Sequence, residues 1–408
     1  MKVLVISHMY PSAFNEVSGI FVHQQVRELI KQGCEVKVVS PVPWSPFPIK
    51  HFNAKWQAYA ELPPLEKWDG VEVYHPRYIV FPRSYLFEYS GYFLYQGLKR
   101  VVGNVATLFD FDLIHAHVAL PAGFAAMLLK QGCKKPLVVT IHGMDLLRTV
   151  HRNIHCKKAL SKVFAQADRI VTVSTKLKNI AESELGYSEK ITVINNGTAS
   201  DRLVFRETGL DELATKCLGH NKTILSVSSL IAQKGVGYNL RAMAQLVEKH
   251  PNLKYVIVGD GPELNNLQAL VSDLKLNRHV EFLGRLSHEL AMNQMAKADV
   301  FSMPSWNEGF GVVYIEAMAF GKPVIACQGE GIEDVVKDGN TGLLVRPKDV
   351  DSLASALDFL LSKPEEAHAI GERGKMLVLG NYTWEINVAK TIKVYEEVLN
   401  HWVNRSLS

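Results

Sequence analysis

The sequence predicts an α/β protein made of two doubly wound parallel-sheet domains. Three observations lead there. At 408 residues the chain is too long for one ordinary hydrophobic core, so two or three domains are expected. From the first residues onward, apolar runs of strand length alternate with longer amphipathic stretches. The same alternation recurs in the second half, after a turn signal.

Lys2-Val3-Leu4-Val5-Ile6-Ser7 reads as a first buried strand. A loop containing Ser18-Gly19 follows. Then comes the amphipathic pattern Ile20, Val22, His23, Val26, Leu29 and Ile30, with Gly33 as its C-cap. Val36-Lys37-Val38-Val39-Ser40 is the second strand. Strand, helix and strand at this spacing form a βαβ unit, hence a parallel sheet with right-handed crossovers. The first loop lacks G-x-G-x-x-G, which counts against an NAD or FAD enzyme. Residues 44–95 hold 15 of the chain's 37 aromatics, with several prolines. The expectation is that this irregular excursion packs its aromatics into the first core. The alternative is an interfacial surface for a sugar or lipid.

Asp110-Phe111-Asp112 precedes the apolar strand Leu113-Ile114-His115-Ala116-His117 and reads as a polar turn rather than a metal signature. His115 and His117 lie at period 2 and face one side of that strand. His117 heads the next loop and is a candidate for ligand contact, although a satisfied core histidine is the expected reading. Leu137-Val138-Val139-Thr140-Ile141 delivers His142-Gly143 at a strand's carboxyl end, where open α/β sheets place ligands. A neutral or protonated His142 can donate to a hydroxyl or to developing phosphate charge. Asp145 can orient the loop. Residues 169–174 and 191–194 are further strands, and Asn195-Asn196-Gly197-Thr198 is a turn.

The second half opens with the strand around Thr223–Val227, a small-residue turn with Ser229, then Lys234-Gly235 before a helix. Backbone N–H groups and a lysine at such a turn make an anion site. Residues 255–258, 280–284, 323–327 and 341–345 supply more strands, with Arg285-Leu286 just after the second of them. Residues 349–361 read as an amphipathic helix, and residues 382–402 as a helical tail. The most informative stretch is Ser305-Trp306-Asn307-Glu308-Gly309-Phe310-Gly311-Val312-Val313-Tyr314-Ile315-Glu316-Ala317-Met318-Ala319, which follows the apolar strand at residues 300–304. Its glycines sit between a strand and a helix start, a place for an anion such as a phosphate. Glu308 lies before the helix and Glu316 about a turn into it, so both acids can face one turn.

Glu308 and Glu316, with seven residues between them, together with Gly309-Phe310-Gly311 and Glu316-Ala317-Met318-Ala319, resemble the E-x7-E block of the retaining glycosyltransferases of family 4. The resemblance covers most of the chain and is strongest over residues 222–347. It implies the GT-B fold: two Rossmann-like domains facing across a cleft, with a C-terminal helix returning to the first. The boundaries it implies are 1–198 for an acceptor-binding domain, 199–380 for a nucleotide-sugar domain and 381–408 for the returning helix. It further implies a donor site of Gly19, Ser229, Lys234, Arg285, Leu286, Glu308, Gly309, Phe310, Gly311, Val312 and Glu316. Family members often carry an arginine where this chain has Ser229, and two adjacent glycines where it has Ser18-Gly19. His142, Glu308 and Lys234 are the implied catalytic residues, with His117 and Asp145 on the acceptor side. Glu316 suits the ribose diol, Glu308 the donor sugar, and Lys234 the β-phosphate. No metal and no cofactor is implied. The donor is a nucleoside-diphosphate sugar, and the acceptor a glycan or lipid-linked hydroxyl.

Charge and cysteine content agree with such a role. Residues 1–197 carry 23 basic against 15 acidic side chains, a balance of +8, while residues 198–408 carry 22 against 26. A basic first half suits an anionic partner: an acidic membrane surface, a phosphorylated acceptor or nucleic acid, the last of which is not expected beside the family resemblance. Solvated surface lysines are the alternative. The five cysteines, Cys34, Cys133, Cys156, Cys217 and Cys327, are scattered and form no C-x-x-C, which favours a reducing compartment. A cytoplasmic protein, or one peripheral on the cytosolic membrane face, is expected. A nucleotide-sugar epimerase of the same fold and a non-catalytic nucleotide-sugar-binding partner are the rival readings.

Overall fold

The computed structural model describes residues 1–199 and 222–407; Cys217 lies outside them. The chain divides into two compact units, residues 1–195 with 384–408 and residues 196–383. The first crossing thus falls three residues before the expected 198, and the second comes just before the last helix.

In unit 1 the strands are β1 (Lys2–Ile6), β2 (Glu35–Val39), β3 (Val42–Pro43), β4 (Leu65–Trp68), β5 (Val71–Tyr74), β6 (Arg77–Tyr78), β7 (Leu113–His117), β8 (Leu137–Ile141), β9 (Arg169–Thr172) and β10 (Ile191–Val193). Eight of them form one sheet in the order β10-β9-β8-β7-β1-β2-β5-β4. All pairs are parallel except the β4–β5 hairpin at the edge. Val3, Leu4, Val5 and Ile6 are fully buried, as a central strand covered on both faces requires. Gly33 follows the Ile20–Lys31 helix in the left-handed region (φ +91°), and the Cys34 N–H reaches back to the Leu29 carbonyl at 2.9 Å, so it ends the helix as expected. The terminal helix, Trp384–Leu407, adds Val388, Val394, Tyr395 and Val398 to this unit's core.

Unit 2 holds β11 (Thr223–Val227), β12 (Lys254–Val258), β13 (Val280–Gly284), β14 (Val300–Ser302), β15 (Val324–Cys327) and β16 (Leu343–Val345). They form an all-parallel sheet in the order β13-β12-β11-β14-β15-β16. The order reverses direction beside β11 and β14, and it is there that open sheets of this type leave a crevice at the strands' carboxyl ends. A helix at Val350–Ser362 is capped by the Asp349 carboxylate, which accepts from the Ser352 N–H at 2.9 Å.

The aromatic excursion departs from expectation. None of the fifteen aromatics of residues 44–95 is buried. Trp44, Phe47, Tyr85 and Tyr92 are exposed, and Trp56, Trp68, Phe87 and Phe93 are half-buried. The strands of this stretch are short: β6 has two residues, and β4 and β5 have four each at the edge of the sheet. The buried positions of β5 are taken by Val71 and Val73, while Trp68 and Tyr74 stay half-buried. Phe81, Tyr85 and Phe93 instead cluster at the surface, with ring centroids 6.5 and 5.4 Å apart around Phe81. Among the described residues no helix is long and apolar enough to cross a membrane.

Candidate active site

In unit 2 the site begins with a buried polar network. Asn239 donates to the Ser302 carbonyl at 2.9 Å and accepts from the Ser302 hydroxyl at 2.7 Å. Ser226 Oγ and Tyr255 Oη lie 2.7 Å apart beside it. These contacts fasten the ends of β11, β12 and β14. Two loops leave those ends and are tied together: the Trp306 N–H donates to the Gln233 carbonyl at 2.9 Å. Gly235 stands in the left-handed region (φ +75°), and a Cβ there would lie 2.4 Å from the Pro304 carbonyl oxygen, so only glycine lets the loops approach. The result is an ion pair between Lys234 and Glu308, both largely buried.

The Glu308 loop is held from a third side. Asn307 is left-handed (φ +58°), so two successive N–H groups point the same way. The buried carboxylate of Glu330 receives both, from Asn307 at 3.1 Å and from Glu308 at 2.7 Å. Phe310 is buried under the turn. Gly311, also left-handed, precedes the Val312–Ala319 helix, where a Cβ would sit 2.7 Å from the Tyr314 ring. Tyr314 is anchored to the Met303 carbonyl and to Ser305 Oγ, and burial pushes its phenol well above the usual range. At the far side of the turn, Glu316 Oε1 meets His288 Nε2 at 2.8 Å.

The structure therefore brings Lys234, Glu308, Gly309, Phe310, Gly311, Val312 and Glu316 to one turn. Arg285, exposed, and Leu286, half-buried, stand two or three residues before His288 and so join the Glu316 end. Ser229 is exposed; the buried hydroxyl of that turn is Ser228 Oγ, which has no hydrogen-bond partner among the described residues. Two contributors escaped the sequence reading. Glu330 was legible only as an acid between Gly329 and Gly331, and His288 only as a polar residue at a helix start.

In unit 1, Gly19 opens the Ile20–Lys31 helix at φ +65°, and a Cβ there would lie 2.3 Å from the Met9 carbonyl oxygen. The histidines of β7 and of the β8 loop form a chain. Tyr395 Oη meets His115 Nδ1 at 2.6 Å, and His115 Nε2 meets Thr140 Oγ1 at 2.7 Å. His117 Nδ1 meets His142 Nε2 at 3.0 Å, with the rings stacked. His117 is 1% exposed. One proton is shared between two neutral rings, so the His117–His142 pair retains one N–H and one lone pair. Both remaining nitrogens, His117 Nε2 and His142 Nδ1, are buried without a hydrogen-bond partner among the described residues. Burial lowers His142 and His115 to about 3 and His8 to about 4, and holds His117 well below the ordinary value. His142 is thus the neutral form. Asp145 accepts from the Ala119 and Leu120 N–H groups at 3.0 and 3.2 Å and fixes the loop after β7; burial raises its carboxyl to about 6. Asp110 pairs with Lys135 at 2.9 Å, and Asp112 accepts from the Lys2 N–H at 2.7 Å, so both serve the turn.

Comparison with known proteins agrees with this architecture. Residues 18–202 match the family model described as Glycosyltransferase Family 4, and residues 216–377 the one described as Glycosyl transferases group 1. An uncharacterized glycosyltransferase of Methanocaldococcus jannaschii is 30% identical over 97% of this chain and 98% of its own. A GDP-mannose-dependent alpha-(1-6)-phosphatidylinositol monomannoside mannosyltransferase of Mycolicibacterium smegmatis is 28% identical over 79% of this chain and 87% of its own. The solved sucrose-phosphate synthase of Thermosynechococcus elongatus superposes with a TM-score of 0.80 at 22% identity, covering 98% of this chain and all of that one. The chain belongs to glycosyltransferase family 4, the group 1 glycosyl transferases, and its two Rossmann-like units are those of the GT-B fold.

Proposed function

We propose that the protein is a retaining glycosyltransferase that moves a sugar from a nucleoside-diphosphate sugar to a hydroxyl of a glycan or lipid-linked acceptor. The observation that carries this reading is the single turn on which Lys234, Glu308 and Glu316 meet a helix start. Lys234 and the N–H groups at Gly311 and Val312 neutralise the diphosphate, and their effect grows as charge develops on the leaving oxygen. No metal is needed for that step, because the cation and the helix start supply the positive charge. Glu308 faces the sugar, and Glu316 the ribose. His142 of unit 1, neutral and with His117 behind it, serves a sugar hydroxyl. The acceptor oxygen bonds to the anomeric carbon, the bond from that carbon to the phosphate oxygen breaks, and the leaving phosphate takes the acceptor's proton. On this reading retention follows a front-face route, in which the acceptor adds on the face from which the phosphate leaves.

Synthesis of cell-surface polysaccharide or glycolipid at the cytosolic membrane face is the setting this reading favours. The exposed aromatics of residues 44–92 support it, as does the mycolicibacterial relative, whose name specifies a phosphatidylinositol-linked acceptor. The deciding measurement is thermal stabilisation by UDP, GDP, ADP and their common sugars. A shift with one nucleotide, lost in Lys234→Ala, is the expected result. No shift with any of them would overturn the donor site and leave a non-catalytic role.

A further inference from the structure

Glu330 stands 22 residues from Glu308 in sequence, in the loop after β15, and is 8% exposed. Its two carboxylate oxygens each take one backbone N–H, from Asn307 and from Glu308. A pair of successive N–H groups around a left-handed residue is a concavity made for an anion, and here a carboxylate of the same chain fills it. The contact is returned at 3.4 Å by the Gly331 N–H, which donates to the Glu308 carbonyl. The peptide units on both sides of the Glu308 Cα are therefore held by residues 330 and 331, while Lys234 holds the side chain.

We infer that Glu330 is a positioning residue, which sets the direction of the Glu308 side chain through that residue's backbone. The inference rests on the role proposed above for Glu308. A glutamine at 330 would keep the shape but turn one acceptor into a donor facing an N–H, leaving a buried N–H unpaired. The diphosphate contacts, Lys234 and the Val312 helix start, would stay.

The test uses the full chain with UDP-glucose and GDP-mannose as donors and UDP and GDP as binding probes. Glu330→Gln is expected to lower the transfer rate at least tenfold while the diphosphate dissociation constant stays within twofold. Glu330→Asp should recover part of the rate. Added to Glu308→Gln, Glu330→Gln should lower the rate little further, because both changes remove one function. A normal rate in folded Glu330→Gln overturns the inference, and so does a matching loss of diphosphate affinity or full additivity with Glu308→Gln. If Glu330→Gln does not fold, the same split between rate and affinity is read from Glu330→Asp. If Glu308→Gln alone leaves transfer intact, the proposed role of Glu308 has failed. Amide exchange at Asn307 and Glu308 then decides whether Glu330 holds the loop: faster exchange in Glu330→Gln upholds it, and unchanged exchange refutes it.

Discussion

The ammonium of Lys234 meets the carboxylate of Glu308 across 74 residues of sequence. Each group fixes the other, and on the reading proposed above the pair sets a cation for phosphate beside an acid for sugar. Replacing Lys234 by alanine should abolish nucleotide-dependent stabilisation, a loss of about 2.7 kcal/mol at a hundredfold excess over the dissociation constant. Calorimetric melts with the bound nucleotide check this. Glu308→Gln and His142→Ala should each slow transfer by about 2–4 kcal/mol of barrier. Near-normal rates in either would remove that residue from the chemistry.

His288 Nε2 holds Glu316 Oε1, and on the proposed reading the other carboxylate oxygen accepts from a ribose hydroxyl. His288→Ala should therefore raise the KM for the donor about tenfold with a smaller change in kcat, roughly the worth of one charge-assisted contact. Steady-state kinetics with and without the substitution give the answer. An effect confined to kcat would contradict it.

Four histidines of unit 1 whose rings burial holds neutral make its stability pH-dependent. His8, His115, His117 and His142 are all held neutral by burial, two of them near 3 and one near 4. Their folded pKa values lie below the unfolded one. The stability tied to the neutral rings is thus complete above about pH 6.5 and is lost as pH falls towards 3–4, by up to about 1.4 kcal/mol per histidine per pH unit. Asp145 works the other way. Its raised value, about 6, means that protonating it favours the folded state as pH falls from 6 towards 4. Four rings outweigh one acid, so the melting temperature should drop between pH 6.5 and 4.5. A flat profile would contradict the burial of this cluster.

The surface aromatics give a test of the membrane setting. Phe47 and Phe52 are 79% and 71% exposed, and Tyr92 lies two turns from Lys99 on the Ser90–Leu108 helix. Replacing Phe47 and Phe52 by serine should weaken co-sedimentation with anionic vesicles severalfold, and so should neutralising Lys99 and Arg100. A wild-type chain that does not bind such vesicles would end the proposal.

Much of the fold was legible in local pattern. Lys2–Ile6, Leu137–Ile141 and Thr223–Val227 are largely apolar runs, and they are strands because a sheet covered on both faces buries nearly all of such a run. The helices at 20–31 and 350–362 followed from their apolar period, and the first also from its Gly33 cap. The Glu308–Glu316 turn was legible because its parts are neighbours in sequence. The aromatic excursion was not, since composition says nothing about whether short proline-broken elements have a core to face.

By itself, then, the sequence determined the two parallel-sheet units, the strand ends that carry Lys234, His142 and Glu308, and the glycines at 19, 235 and 311 that allow close backbone approach. Only the tertiary structure decided that Glu330 braces Glu308, that His288 orients Glu316, and that His117 backs His142. The physical reason is range. Strand and helix formation answer to periods of two and 3.6 residues. These partners lie 22, 28 and 25 residues apart, and they meet only because separate strands end at the same edge of a sheet.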